Sequence, residues 1–330
     1  DVSPISFTDY LYYIDKDVGF GSPGYFRTGD VIDGPIHLDD ELAVWGDPVF
    51  QCRVESSAST ILYENGGADL HSSALNNLPY DDPTFEEGCV LGADDFAWIT
   101  QSDFNALKNM ADISANSAEV VFGRQTGTGR MLGWVSYRKI GKTKWNDIEL
   151  SSTNGIIYVN GSCEVSGVLD GQATIVSNGN MDIVNDLVYA DRDGDAPSAE
   201  CDDILGLVAS SHIRVSDNAP NGSDCVVHAH MISINTQGGM VEHYDQGSPR
   251  GTLTLYGGVA QDKWGPIGTG YYDENDEFHV LTGYERDFHY DWRLQETMPP
   301  GYSLLMSGLG FARTAWREVA PLDLEEMLDS

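Results

Sequence analysis

A loop of alternating carboxylates is the strongest candidate for chemistry in this sequence. The segment "DRDGDAPSAECDD" places Asp191, Asp193 and Asp195 at every second position around Gly194. A calcium ion requires several oxygen atoms that converge at about 2.3–2.6 Å, and this spacing matches the start of an EF-hand loop. The twelfth position, where an EF-hand has a bidentate Glu, is Asp202. The pattern predicts Ca²⁺ bound by these four aspartates, and the alternative is a solvated acidic loop.

A second group of candidate residues forms a basic window in an otherwise acidic chain. Of the 18 Lys and Arg residues, six fall between residues 124 and 144. Five of the six make a candidate anion-binding site: Arg130, Arg138, Lys139, Lys142 and Lys144. The segment "GRMLGWVSYRKIGKTKW" predicts two strands around a turn. The alternative to an anion site is a hairpin whose charges pair with acidic neighbours.

The five cysteines contain no C-x-x-C pair, so the sequence does not predict structural zinc. Cys201 and Cys225 both lie in polar, loop-like sequence on either side of one predicted strand. We expect these two residues to form a disulfide, with Cys52 and Cys89 as a second candidate pair. A disulfide favours an oxidising compartment, and the odd number of cysteines leaves at least one free thiol.

Two further patterns are compatible with chemistry. His228 and His230 share one face of a predicted strand, where imidazoles either bind a transition metal or pack on the sheet. The carboxylates of Asp170, Asp182 and Asp186 are candidates to line one face of a carbohydrate-active enzyme. No nucleophile elbow, zinc-protease motif or phosphate-binding loop stands out, so no catalytic residue is predicted.

Short strands interrupted by glycine must position these residues. Between residues 160 and 191, glycines cut the chain every few positions, and similar strand-like blocks return up to residue 261. Short parallel strands, corners that tolerate a positive φ and small inward residues are what a solenoid needs. The sequence therefore predicts an all-β fold, a right-handed β-solenoid with irregular caps and one or two short helices. A β-sandwich is the alternative.

The distribution of short strands, glycines and prolines predicts three regions along the chain. Residues 1–28 are expected to form a lead-in, and residues 29–261 the solenoid body, with an irregular insertion at about 51–128. Residues 262–330 are rich in aromatics, Gly and Pro and are expected to form a cap. The main helix is predicted at 102–112, with Ser102 as its N-cap.

Composition limits the class of protein. The 330 residues are 41% hydrophobic, which is typical of a globular chain. The net charge of −34 disfavours binding to nucleic acid or anionic lipid over most of the surface. Because no apolar run approaches about 18 residues, no membrane span is predicted.

Five blocks of the sequence, in order, resemble a known family. They are "GDVIDGPIHLDDELAVWGDPVF", "IIYVNGSCEVSGVLDGQATIVSNGNMDIVNDLVYAD", "DDILGLVAS", "GTLTLYGGVAQDKWGPIGT" and "FHYDWRLQETMPPGY". Together they are similar to an uncharacterised bacterial domain family of large pilin-like surface proteins, related to minor pilins of type IV pili. The resemblance implies a β-solenoid on or inserted in a pilin module, and it transfers no catalytic residue. The apolar pilin helix is not among the 330 residues, which puts filament assembly by this chain in question.

The expected function follows from the resemblance and the residues together. We expect a non-enzymatic extracellular β-solenoid, a pilus-associated or cell-surface structural and adhesive module. Its expected partners are other pilin or filament subunits, further copies of itself, or a surface glycan. Two alternatives stay open: a carbohydrate-active β-helix lyase or hydrolase, and a DNA-binding pilus-tip module that uses the basic window.

Overall fold

A computed structural model describes residues 2–4, 6–16, 24–64, 81–234, 241–243, 247–273, 278–306 and 311–313. Within these ranges the chain forms strands throughout, with one α-helix, α1 (Gln101–Met110), so the all-β prediction is confirmed. Four short 3₁₀ helices lie between strands: Phe7–Asp9, Leu150–Ser152, Trp292–Gln295 and Tyr302–Met306.

The described residues form 29 strands. The first eleven, before α1, are β1 (Val2–Pro4), β2 (Tyr12–Ile14), β3 (Phe26–Arg27), β4 (Val31–Ile32), β5 (Ile36–Leu38), β6 (Leu42–Trp45), β7 (Val49–Phe50), β8 (Val54–Ser56), β9 (Ile61–Tyr63), β10 (Thr84–Phe85) and β11 (Cys89–Leu91). The others are β12 (Ile113–Phe122), β13 (Gln125–Thr126), β14 (Gly129–Arg130), β15 (Trp134–Lys139), β16 (Asn146–Glu149), β17 (Ile156–Leu169), β18 (Gln172–Ser177), β19 (Met181–Tyr189), β20 (Arg192–Asp193), β21 (Ala196–Pro197), β22 (Ile204–Ala209), β23 (Ile213–Val215), β24 (Cys225–Ser233), β25 (Val241–His243), β26 (Pro249–Gln261), β27 (Gly268–Tyr272), β28 (Phe278–Tyr290) and β29 (Phe311–Arg313).

One parallel sheet, the long ladder, joins ten of these strands. Its spatial order is β12–β17–β18–β22–β24–β26–β2–β5–β8–β11, and every neighbouring pair is parallel. Two segments of the chain therefore meet at the pair β26–β2. The first segment runs outward from this joint to β11, and the second returns to it from β12 at the opposite end. At about 4.8 Å between strands, the two end strands are about 40 Å apart.

Shorter parallel ladders form the other sides of each segment. In the first segment β3–β6–β9 and β4–β7–β10 are parallel sets. In the second, the C-terminal half of β12 pairs with that of β17, which pairs with β19, followed by β23 and β25. Antiparallel pairs occur in excursions such as β15 with β12 and β16, and β27 with β28. The repeated parallel pairing agrees with stacked coils, while their handedness stays a prediction.

The side chains of the long ladder alternate between two apolar layers. The inward layer includes Ile36, Ile157, Ile175 and Leu207, each fully buried in the main core. The outward layer belongs to a second buried cluster that contains Tyr13, Tyr158, Val176, Val208 and Ile232. Because both faces are covered, these strands are apolar at nearly every position, as buried parallel strands are.

The segment 92–112, the strap, covers the outward layer. It connects β11 to β12 and therefore passes from one end of the long ladder to the other. Its buried side chains Ile99, Phe104 and Leu107 pack on that layer, together with the half-buried Phe96 and Trp98. The strap contains the predicted helix, which the structure places at Gln101–Met110.

The N-cap of the strap helix differs from the prediction. Thr100 caps the helix: its hydroxyl accepts from the amide of Asp103, and the Asp103 carboxylate accepts from the amide of Thr100 at 2.9 Å. Ser102 lies inside the first turn. The T-x-x-D spacing of a capping box decides the start, because it satisfies two helix-end donors at once. The domain division at residues 28, 51, 128 and 261 stays a prediction.

Candidate functional site

The predicted calcium loop is a short hairpin on the surface. Strands β20 and β21 pair around Gly194, whose φ is +66°. Asp191, Asp193, Asp195 and Asp202 are all exposed. Within the described ranges, no three His, Cys, Asp or Glu side chains converge as a metal-binding group. The calcium assignment to these aspartates stays a prediction.

Asp203, which sequence reasoning did not single out, organises the base of that loop. It is buried, and its carboxylate accepts from the amides of Gly171 (2.5 Å), Ala190 (3.0 Å) and Asp191 (3.3 Å). The thiol of Cys201 donates to the same carboxylate at 3.6 Å. Partial burial, followed by the charges of Asp203 and its acidic neighbours, raises the pKa of Asp170. The loop is thus a site of concentrated negative charge held by backbone donors.

All five cysteines of the chain carry free thiols in the structure. Cys201 donates to Asp203, while Cys225 is buried at the start of β24. Burial raises the pKa of Cys225 to about 12, so this thiol stays protonated at neutral pH. The pairing of Cys201 with Cys225 stays a prediction.

His228 and His230 are fully buried, and both contact backbone that crosses β24. Nδ1 of His228 accepts from the amide of Tyr189 at 3.0 Å, and Nε2 donates to the carbonyl of Asp195 at 2.7 Å. Nε2 of His230 donates to the carbonyl of Phe7 at 3.0 Å. Burial lowers both pKa values to about 4, so both rings are neutral at pH 7. The two neutral imidazoles therefore hold neighbouring backbone segments against β24. His228 holds the β20–β21 hairpin through Asp195, and His230 holds the segment that contains Phe7.

The basic window lies at the β12 end of the stack and contributes to two hairpins, the small β13–β14 pair and the longer β15–β16 pair, whose second strand lies beyond the predicted segment 129–145. β15 pairs with β12, and β16 pairs with β15 beyond it. The guanidinium groups of Arg124 and Arg138 lie 5.0 and 4.2 Å from the ring centroid of Trp145. Arg124 also binds Asp147 at 2.9 Å. Two of the six basic residues are therefore held in place by an aromatic ring and by carboxylates.

The other basic residues of the window face solvent. Arg130, Lys139, Lys142 and Lys144 are exposed, and Arg130 donates to the carbonyl of Gly123. Four of the five residues predicted to bind an anion therefore lie on the β15–β16 hairpin and its turn, and Arg130 lies on the β13–β14 hairpin. Their role in anion binding stays a prediction.

A charged strip continues from this hairpin along the side of the stack. It follows one register position on successive strands: Arg138, Glu119, Glu164, Asp182 and Arg214. Its two ends are ion pairs, Arg138 with Glu119 at 2.5 Å and Arg214 with Asp182 at 2.7 Å. Burial, then the charges of Glu119 and Asp182, raises the pKa of Glu164. Of the carboxylates weighed for carbohydrate chemistry, only Asp182 belongs to the strip.

A buried polar cluster under the strap was missed by sequence reasoning. His37 is fully buried and binds Asp39 through Nε2 (2.9 Å) and Glu55 through Nδ1 (3.1 Å). Tyr13 donates to Asp39 at 2.5 Å, and the strap amide of Phe96 donates to Asp39 at 3.2 Å. Burial opposes the charge of His37, but its two carboxylate partners outweigh burial and raise its pKa. The "HLD" spacing is the only sequence signal for this cluster, because Glu55 comes from another strand and Phe96 from the strap.

The comparisons with known proteins add little to this description. No family model matches the chain, and no curated protein matches it. Among solved structures the chain is similar to the competence-associated pilin ComZ from Thermus thermophilus, with 11% identity and a TM-score of 0.37. The likeness covers 94% of this chain and 75% of that one. At a TM-score this low, function must be argued from the chain's own geometry.

The fold and its surface define an all-β protein of stacked parallel strands with a charged strip on one side. None of the helices in the described ranges has both the length and the apolar character that a membrane span requires.

Proposed function

We propose that this chain is a non-enzymatic extracellular structural module of right-handed β-solenoid architecture, displayed on a cell surface or associated with a pilus. The observation that carries the proposal is the ten-strand long ladder, which the two chain segments build together. Stacked architectures of this kind are quasi-one-dimensional, and their long side walls serve as extended binding surfaces. A scaffold with that geometry suits a spacer or adhesive element.

The buried polar groups support a structural role. His37, Asp39 and Tyr13 fix the strap onto the sheet. At the strap's other end, Asn154 donates to the carbonyl of Met110 at 2.6 Å. These contacts hold the strap against the sheet near both ends of the stack. The strap therefore opposes separation of the coils. The ionisable side chains of this region thus act in packing.

The location is tested on intact cells of the source organism. We expect an antibody raised against the chain to label unbroken cells, and external protease to remove that label while a cytoplasmic marker survives. Co-sedimentation of the chain with sheared pili separates a pilus-associated module from one attached elsewhere on the surface. Signal that is seen only after lysis contradicts the extracellular assignment.

A carbohydrate-active enzyme is the second candidate, and the charged strip favours it. Glu164 has a raised pKa between Glu119 and Asp182, which is the arrangement a general acid needs beside an ionised partner. Incubation with a panel of acidic and neutral polysaccharides tests this candidate through new reducing ends or unsaturated products. Activity that the Glu164→Gln substitution abolishes supports the enzyme and contradicts the structural proposal.

A further inference from the structure

The two ends of the long ladder carry opposite charge. At the β12 end, the segment 124–149, the basic end, contains six Lys and Arg residues, and its only acidic residues are Asp147 and Glu149. Lys139, Lys142 and Lys144 are exposed there. The β15–β16 hairpin lies outside β12, so these ammonium groups are at the extremity of the stack.

The opposite end is acidic without exception. Residues 81–95, the acidic end, contain strands β10 and β11 together with six Asp and Glu residues. Five of the six are exposed: Asp82, Glu86, Glu87, Asp94 and Asp95. The sequence has no Lys or Arg at all between residues 54 and 107. The negative charge at this end therefore has no basic neighbour along the chain.

The acidic end also has strand edges. Within the described ranges, β9, β10 and β11 each pair with a single neighbouring strand, β6, β7 and β8. Val90, in the middle of β11, is 38% exposed. An edge strand with exposed apolar and backbone groups is a surface on which another chain can pack.

We propose that copies of this chain associate head to tail, with the basic end of one copy against the acidic end of the next. Such a contact is heterologous, because it joins two different surfaces, and it propagates into open linear assemblies unless the rotation closes a ring. The partner is a second copy because the complementary surface for the basic end is already present on this same chain. The inference rests on the charges of the two ends and holds whether or not the module is extracellular.

The net charge of −34 sets the salt dependence of this association. At about 0.1 M salt the Debye length is about 10 Å, so charges on the side walls of two copies are screened while ions in contact at the joint still attract. Near 1 M salt the contact attraction is weakened as well. We therefore expect association at about 0.1 M salt and dissociation at about 1 M salt, measured by sedimentation velocity.

Two sets of charge reversals test the pairing of the ends. Lys139→Glu, Lys142→Glu and Lys144→Glu together make both ends acidic. Glu86→Lys, Glu87→Lys, Asp94→Lys and Asp95→Lys together make both ends basic. Each of these two variants alone should dissociate at least about tenfold more readily than the wild type, because like charges then face each other. Mixed together, the two variants should form a one-to-one complex.

A matched control reverses three exposed acids on the side wall, Asp193, Asp195 and Asp202, to Lys. This control should self-associate at least as well as the wild type, because the three substitutions make the net charge less negative and leave both ends unchanged. Failure of the two reversed variants to combine overturns the proposal, as does a wild type that is monomeric at about 0.1 M salt. Binding of short duplex DNA by a monomeric wild type assigns the basic end to a nucleic acid and also overturns it.

Discussion

His289 on β28 and Asp33 after β4 form an ion pair, with 2.6 Å between Nδ1 and Oδ2, although 255 residues separate them in sequence. Arg286 and Asp30 form a second pair beside it at 2.7 Å. These contacts join the last part of the second chain segment to the first. The two segments therefore share a polar seam as well as the backbone pairing of β26 with β2.

The first prediction concerns the pH dependence of this seam. The hydrogen bond to Asp33 raises the pKa of His289 above its usual value, with a further contribution from Asp287. A raised folded-state pKa gives stability that is complete below about pH 6.5 and is lost as the pH rises through the raised value. In thermal melts, the melting temperature of the wild type should exceed that of His289→Gln most at about pH 6. This difference in melting temperature should become smaller toward about pH 9.

Asp33→Asn serves as the companion variant for that experiment, since it removes the partner of His289. It should also lose the pH-dependent part of the stability. A gap between wild type and His289→Gln that is the same at both pH values would show that the ring acts by packing alone, for example against Tyr256 at 4.7 Å.

The second prediction concerns the cluster under the strap. Tyr13 is fully buried and donates to Asp39, so Tyr13→Phe leaves a buried carboxylate with one donor fewer. We expect a loss of about 1–3 kcal/mol in the free energy of unfolding, measured by denaturant titration. Tyr271→Phe is the control, since that side chain is 51% exposed, and it should be neutral. Equal effects of the two substitutions would contradict the role of the cluster.

The third prediction separates close backbone approach from backbone strain. Gly167 and Gly171 have nearly the same φ, +114° and +113°, but a Cβ at Gly167 would lie 2.2 Å from the carbonyl oxygen of Phe122, and one at Gly171 has open space. Gly167→Ala should therefore cost about 1–3 kcal/mol more than Gly171→Ala, because the β12–β17 pair must shift. Chemical denaturation of both variants measures the difference, and equal costs would count against this close pairing.

The fourth prediction concerns the start of the strap helix. Thr100→Ala removes the N-cap and should cost about 1 kcal/mol, whereas Ser102→Ala inside the first turn should change stability little. Denaturant melts of both variants decide the point. A larger effect at Ser102 would restore the cap position that the sequence suggested.

The fifth prediction concerns the acidic loop. If Asp191, Asp193, Asp195 and Asp202 bind Ca²⁺, the ion should raise the melting temperature, and at a hundredfold excess over Kd the gain is about 2.7 kcal/mol. Asp193→Asn with Asp195→Asn should abolish the response, while Glu86→Gln with Glu87→Gln should retain it. If the melting temperature is the same in Ca²⁺ and in chelator at matched ionic strength, the four aspartates do not bind Ca²⁺ and the segment is a solvated acidic loop.

Local patterns predicted much of this fold because they act over a few residues. The strands of residues 156–261 and the helix of the strap follow from apolar periodicity and glycine spacing. The cap was misplaced because Ser102 and Thr100 are both good N-cap types, and only the position of Asp103 distinguishes them.

Long-range contacts left no comparable signal in the sequence. The pairing of Tyr12 with Val259, and of Asp33 with His289, joins residues that lie in the first and last parts of the sequence. Residues near the start of the chain carry no local signal of their partners, because those partners lie near the other end of the sequence. The His37 cluster stayed hidden for the same reason, since its members come from separate strands and from the strap.

Amide hydrogen exchange at residues 12–14 tests the central claim, that the two segments form one continuous scaffold, most directly. β2 lies between β26 and β5, so its amides should exchange as slowly as those of 36–38 and 259–261, in the most stable part of the molecule. Exchange at the rate of a frayed chain terminus, while 36–38 and 259–261 stay protected, would show that β2 does not join the two segments and would contradict the account.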